Sequence, residues 1–135
     1  MRARILLVND EEDFIDLLTY NIRQHGHDVV SVADGLEALQ RARLFRPDLI
    51  ILDPTLLAPD GLSLWAALRE EALTHSIPII LLCSAVPGQV SRLNDFETTA
   101  HEYLSKPVSI RELLECVERG LNRHNPRFFA AESAA

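Results

Sequence analysis

Short apolar runs alternate along the chain with longer stretches in which apolar residues return every three or four positions. The short runs are RILLVN (4–9), DVVSVA (28–33), DLIILD (48–53), IPIILLCS (77–84) and EYLSK (102–106). Runs of this length, rich in β-branched residues and Leu and bounded by polar breaks, suit strands buried on both faces, as in a parallel sheet. Between them the spacing turns helical. Phe14, Leu17, Leu18 and Ile22 fall at i, i+3, i+4 and i+8. Ile110, Leu113, Leu114, Val117 and Leu121 repeat the pattern, with Ser109 placed as an N-cap and Glu112 as its partner in a capping box. Residues 34–45 and 61–72 supply two more helices, and 88–100 a weaker one that ends poorly on Thr98 and Thr99. Gly26, Pro47 and Pro78 follow the first three helices as stop signals.

Five strands alternating with five helices predict a doubly wound α/β domain, a five-stranded parallel sheet with helices on both faces. In that architecture ligands bind beyond the carboxyl ends of the strands. The domain is expected over residues 1–125. Residues 126–135, whose only feature is the pair Phe128 and Phe129, read as a C-terminal tail.

Composition narrows the functions open to such a domain. The chain has 135 residues and a net charge of −7, which disfavours coating of nucleic acid. No apolar run is long enough to span a bilayer, and the basic N-terminal residues lead straight into a strand. Cys83 and Cys116 have neither metal spacing nor the numbers for a disulfide framework, so a reducing, cytoplasmic setting is the default. The five histidines have no ligand spacing either. Trp65 reads as packing, and Cys116 as a structural residue on the edge of the last helix's apolar stripe.

The strand ends carry the chemistry. The first ends on Asn9, Asp10 and Glu11, the third on Asp53, the fourth on Cys83 and Ser84, and the fifth on Lys106 followed by Pro107. Taken singly, each has an ordinary reading as a cap, a turn residue or a solvated loop residue. Together they gather acids, a hydroxyl and a lysine at one edge of the sheet. Clustered carboxylates repel one another, and Mg²⁺ resolves the conflict because it takes oxygen ligands and needs only one or two carboxylates. A carboxylate beside such an ion can attack phosphorus and form an aspartyl phosphate. The charge that develops on the phosphoryl oxygens then calls for the metal, a cation and a hydroxyl or amide donor. Asp53, Asp10, Lys106 and Ser84 are the residue types for those roles.

The stretches ILLVNDEEDF, DGLEAL, RPDLIILD, IPIILLCSA and YLSKP, in this order and over residues 3 to about 123, resemble the receiver domain of two-component response regulators. The resemblance implies a CheY-like, flavodoxin-like sheet of strand order 2-1-3-4-5. It implies that Asp53 accepts a phosphoryl group from a sensor histidine kinase or phosphotransfer protein. Asp10, Asp53 and the backbone carbonyl of Thr55 would bind Mg²⁺, with Asn9 and Glu11 in the surrounding acidic pocket. Lys106 would contact the phosphoryl oxygens before a cis bond to Pro107, and Tyr103 would be the aromatic switch. The output would be a changed surface of the fourth helix, fifth strand and fifth helix, met by an effector protein or a second copy of the chain. Neither nucleic acid nor membrane would be contacted directly, and catalysis would be limited to the domain's own phosphorylation and dephosphorylation.

Three positions depart from the family pattern. Asn9 stands where the family has an acid, so weaker Mg²⁺ binding is expected, with the amide oxygen still able to accept a hydrogen bond from a metal-bound water. Leu57 stands where the family often has proline, and Pro54 directly follows Asp53. Counting from Pro78, the family's hydroxyl position falls on Cys83, with Ser84 one place later, and either could serve. These departures keep a second function in view, a receiver-like interaction module that signals without phosphorylation. A third, an aspartate-nucleophile phosphohydrolase, would need an acid where this chain has Thr55.

Overall fold

In a computed structural model describing residues 2–53, 61–83, 102–105 and 109–124, the predicted alternation becomes nine elements. They are β1 (Arg4–Val8), α1 (Glu12–Gln24), β2 (Asp28–Val32), α2 (Gly35–Phe45), β3 (Leu49–Leu52), α3 (Gly61–Glu70), β4 (Ile79–Cys83), β5 (Glu102–Ser105) and α4 (Ile110–His124). Helix α4 is the fifth of the helices expected from sequence. The expected fourth, over 88–100, and the tail over 126–135 lie outside the described residues.

All strand pairs are parallel and the order is β2-β1-β3-β4-β5, the flavodoxin-like arrangement. Alternate side chains serve the two faces. Leu6, Val8, Ile50, Leu52, Ile79 and Leu81 pack with Ala38 and Ala42 of α2 and Leu64 and Leu68 of α3. Ile5, Leu7, Leu49, Ile51, Ile80 and Leu82 pack with Leu18 and Ile22 of α1 and with Leu113, Cys116, Val117 and Leu121 of α4. Burial on both faces accounts for the apolar strand runs.

Helix ends follow local chemistry. The α1 terminus is a Schellman motif: the Gly26 N–H donates to the Arg23 carbonyl (2.9 Å) and the His27 N–H to the Ile22 carbonyl (3.4 Å). Gly26 sits at φ 89°, a conformation glycine adopts without a Cβ penalty. Asp34 caps α2 by accepting from the Glu37 N–H (2.8 Å), and Ser109 caps α4 by accepting from the Glu112 N–H (3.0 Å). Arg46, at φ 50°, closes α2 ahead of Pro47.

Two expectations need correction and one sharpening. Leu17 is half exposed, and Ile15 takes the place expected for it against the core. At 100° per residue, Leu17 projects well away from the direction shared by Phe14, Ile15, Leu18 and Ile22. Pro78 does not end α3, which stops at Glu70. The turn after it is held by the Thr74 hydroxyl donating to the Leu68 carbonyl (2.6 Å) and by Arg69 donating to the His75 carbonyl (2.6 Å). Cys116 lies on the edge of the α4 stripe, as expected, and is nonetheless fully buried.

A buried histidine ties the opposite end of the sheet together. His27 Nδ1 accepts from the Ala3 N–H (3.1 Å), which places the ring proton on Nε2, and Nε2 donates to Glu118 Oε1 (2.9 Å). This joins the start of β1, the start of β2 and the middle of α4. The bond holds the Glu118 carboxyl below the ordinary glutamate range, more than offsetting partial burial, which acts the other way. A carboxyl with a depressed pKa in the folded state adds stability above its unfolded pKa of about 4.3, and that stability is lost as pH falls through the folded value. Glu118→Gln keeps an acceptor oxygen but removes the charge. Urea midpoints at about pH 6 and about pH 3 should therefore fall less for this variant than for the wild type.

Candidate functional site

The strand order reverses between β1 and β3, and the crevice beyond their carboxyl ends is where open α/β sheets bind ligands. Asn9 and Asp53 each follow the last residue of one of these strands. The Asn9 N–H donates to the Val32 carbonyl (3.1 Å), and the Asp53 N–H donates to the Val8 carbonyl (3.2 Å). Since Val8 pairs with Leu52, the next pair in register is Asn9 with Asp53, about one interstrand spacing of ~4.8 Å apart. Both are fully buried, on a sheet otherwise lined by apolar residues. Two buried polar side chains side by side at a switch point are a costly arrangement for packing alone.

The Asn9 amide is fixed in one orientation. Its Oδ1 accepts from the Glu11 N–H (2.8 Å), an Asx turn that starts the path into α1. Its Nδ2 is buried and has no acceptor among the described residues. An amide oxygen has two lone pairs, so Oδ1 can accept from a metal-bound water as well as from the Glu11 N–H. Nδ2, by contrast, is a donor and cannot ligate a cation.

Beyond Asn9 the acids divide by surroundings. Asp10, Glu11, Glu12 and Asp13 are all exposed, and Glu12 and Asp13 occupy the first turn of α1, where negative charge complements the helix dipole. That accounts for two of the acids in this run. Asp10, next to Asn9, and Glu11, the N-cap residue of α1, are the carboxylates of this run left for a cation, Asp10 being the nearer in sequence to the buried pair. No cluster of three or more His, Cys, Asp or Glu is placed for a metal among the described residues. Mg²⁺ does not need one, because it keeps several waters and accepts one or two carboxylates. Asp10 and Asp53 fit that requirement, and the Asn9 Nδ2 donor opposes it.

On the other side of β3, Cys83 is the last residue of β4 and pairs with Ser105, while Tyr103 is the second residue of β5 and pairs with Leu81. Cys83 thus reaches the same carboxyl edge as Asn9 and Asp53. Thr55, Ser84, Lys106 and Pro107, together with Pro54 and Leu57, lie outside the described residues. The His27–Glu118 bridge was not visible in the sequence, since its partners are 91 positions apart with no spacing signal.

Comparison with known proteins finds relatives that share this fold. The family described as the response regulator receiver domain matches residues 5–118. The alkaline phosphatase synthesis transcriptional regulatory protein PhoP of Bacillus subtilis is 38% identical over 123 residues, which is 91% of this chain and 50% of PhoP. The chain therefore spans about half the length of that relative. Among solved structures, the signal receiver domain of a signal transduction histidine kinase from Syntrophus aciditrophicus superposes with a TM-score of 0.81 at 31% identity, covering 91% of this chain and 92% of that one. The chemotaxis response regulator CheY4 of Vibrio cholerae superposes with a TM-score of 0.78 at 26% identity, covering 90% and 100% respectively.

Proposed function

The chain belongs to the response regulator receiver domain family, and from that premise we propose that it is a phosphoacceptor switch in which Asp53 takes a phosphoryl group from a histidine kinase or phosphotransfer protein. The observation that carries this reading is the fully buried Asp53 at the end of β3, register partner of Asn9 at the sheet's switch point. In the step proposed, a carboxylate oxygen of Asp53 bonds to phosphorus as the donor's phosphorus–nitrogen bond breaks, and the departing imidazole keeps the electron pair. Bound Mg²⁺ would supply neutralising charge, held by Asp10, Asp53 and the Thr55 carbonyl. Lys106 would meet the phosphoryl oxygens, with Ser84 or Cys83 as the further donor, and Tyr103 would follow the change.

An altered surface of β5, α4 and the segment before β5 would then be offered to an effector protein. This is switching chemistry confined to the domain itself, in the cytoplasm, and not turnover of another substrate. No helix among the described residues is long and apolar enough to cross a membrane. The test is incubation with acetyl phosphate and Mg²⁺, read by intact-protein mass. One phosphoryl increment per chain, lost on hydroxylamine treatment, is expected, and an unchanged mass would defeat the reading.

One observation favours the alternative of a module that signals without phosphorylation, namely the unpartnered donor of Asn9. Asn9→Asp keeps the Oδ1 acceptor for the Glu11 N–H and replaces the donor with a second charged oxygen beside Asp53. Two unit charges 4 Å apart interact by about 4 kcal/mol at an effective dielectric of ~20, and a coordinated cation reverses the sign of that cost. Calorimetric Mg²⁺ titration should show binding roughly tenfold tighter in the variant, equivalent to about 1.4 kcal/mol. Absence of binding by both proteins at tens of millimolar metal would instead support the phosphorylation-independent module.

A further inference from the structure

The outer face of α2 carries two exposed leucines that do not belong to either core cluster of the described residues. Leu36 is 70% exposed and Leu44 is 81% exposed, although the helix buries Ala38 and Ala42 against the sheet. Leu36, Gln40 and Leu44 are spaced i, i+4, i+8 and lie along one line of the helix surface. Glu37 and Arg41 run beside that line, and with Asp34 these side chains border a single open hollow.

The charges are arranged to suit a second copy. Among the described residues, the side chains of Glu37 and Arg41 have no hydrogen-bond or ion-pair partner. Arg43, by contrast, is committed through its guanidinium to Glu71, which follows α3. If two α2 helices pack antiparallel about a two-fold axis at Gln40, Leu36 meets Leu44 of the other copy. The same axis keeps each flank on its own side and inverts the direction along the helix. Glu37 then falls within about one residue rise, or two, of the other copy's Arg41, and the reverse pair forms by symmetry. The acidic N-terminal half of each helix lies against the basic C-terminal half of its mate, and the two macrodipoles oppose.

We propose that the exposed face of α2 is a self-association surface, on which Leu36, Gln40 and Leu44 form the contact and Glu37 and Arg41 fix an antiparallel pairing. A two-helix contact is smaller than a standard stable interface, so association should be weak, with a dissociation constant on the order of 100 µM. The surface is separate from the one proposed above for the phosphorylation output.

Sedimentation velocity of the full chain from about 10 µM to about 1 mM tests this. The wild type should shift from monomer to dimer across that range, and Leu36→Asp should weaken association at least tenfold. Glu37→Arg and Arg41→Glu should each be monomeric alone, since each places like charges together. An equimolar mixture of those two variants should recover association near the wild-type level, because the mixed dimer restores both opposite-charge pairs. That recovery also shows that the single variants are folded. A wild type that stays monomeric at 1 mM overturns the proposal and leaves the face to a different protein. Self-association that survives Leu36→Asp, or two variants that fail to complement, overturns it in favour of another face.

Discussion

Asp53→Asn should abolish acquisition of a phosphoryl group from acetyl phosphate while leaving the protein folded. The substitution preserves shape at a site with no spare volume, because Asp53 is fully buried at the end of β3. It removes both properties the step requires, a charged oxygen nucleophile and a negative charge for a cation. The expected result is no detectable mass increment under conditions that label the wild type. A label that persists in the variant would place the acceptor elsewhere, with Asp10 first in line. A variant that unfolds would show that Asp53 serves the fold more than the chemistry, so circular dichroism accompanies the mass measurement.

The features visible in the sequence and those hidden from it differ by the distance over which they act. Strands buried on both faces leave unbroken apolar runs, so β1 and β3 could be read from Ile5–Val8 and Leu49–Leu52 without any knowledge of their partners. Caps are equally local, and Ser109 stands next to the backbone group it satisfies. The neighbouring strand ends at Asn9 and Asp53 could also be read, because a parallel α/β sheet brings strand ends to one edge whatever the loops do. The orientation of Asn9 could not. Which end of an amide faces the crevice depends on its bond to the Glu11 N–H, and residue type alone is silent about that. His27 needed contacts with Ala3 and Glu118 from distant parts of the chain. Periodicity misassigned Leu17 because i+3 lies on the margin of a helical face, and only the packed neighbours decide which margin is covered. Cys83 ends β4, at the carboxyl edge where its strand run placed it.

Gly120→Val should be strongly destabilising. Glycine in a helix interior costs about 1 kcal/mol relative to alanine, so its place in the middle of a 15-residue helix requires a reason. Gly120 follows Leu113, Cys116 and Val117 on the stripe that faces the sheet, and a Cβ there would lie 2.8 Å from Leu49 Cδ1. Leu49 opens β3 and is itself fully buried, so its methyl can give way only by turning within a packed core. Alanine should come out near neutral to ~2 kcal/mol destabilising, since the propensity gain of ~1 kcal/mol opposes an overpacking cost of ~1–3 kcal/mol. Valine adds two methyl groups and a β-branch at the same closest approach. About 3 kcal/mol or more is expected, a large share of a total stability that is ~5–15 kcal/mol for a domain. A drop in melting temperature on the order of 10 °C should follow. The origin can be isolated with a double-mutant cycle. Leu49→Ala alone should cost ~2–5 kcal/mol through its cavity. Combined with Gly120→Ala, it should cost less than the sum, because the new Cβ enters space that the lost methyls vacate. A coupling energy of at least ~0.5 kcal/mol of that sign identifies the contact between α4 and β3 as the reason glycine is kept, and strict additivity would reduce Gly120 to a helix defect with no packing role.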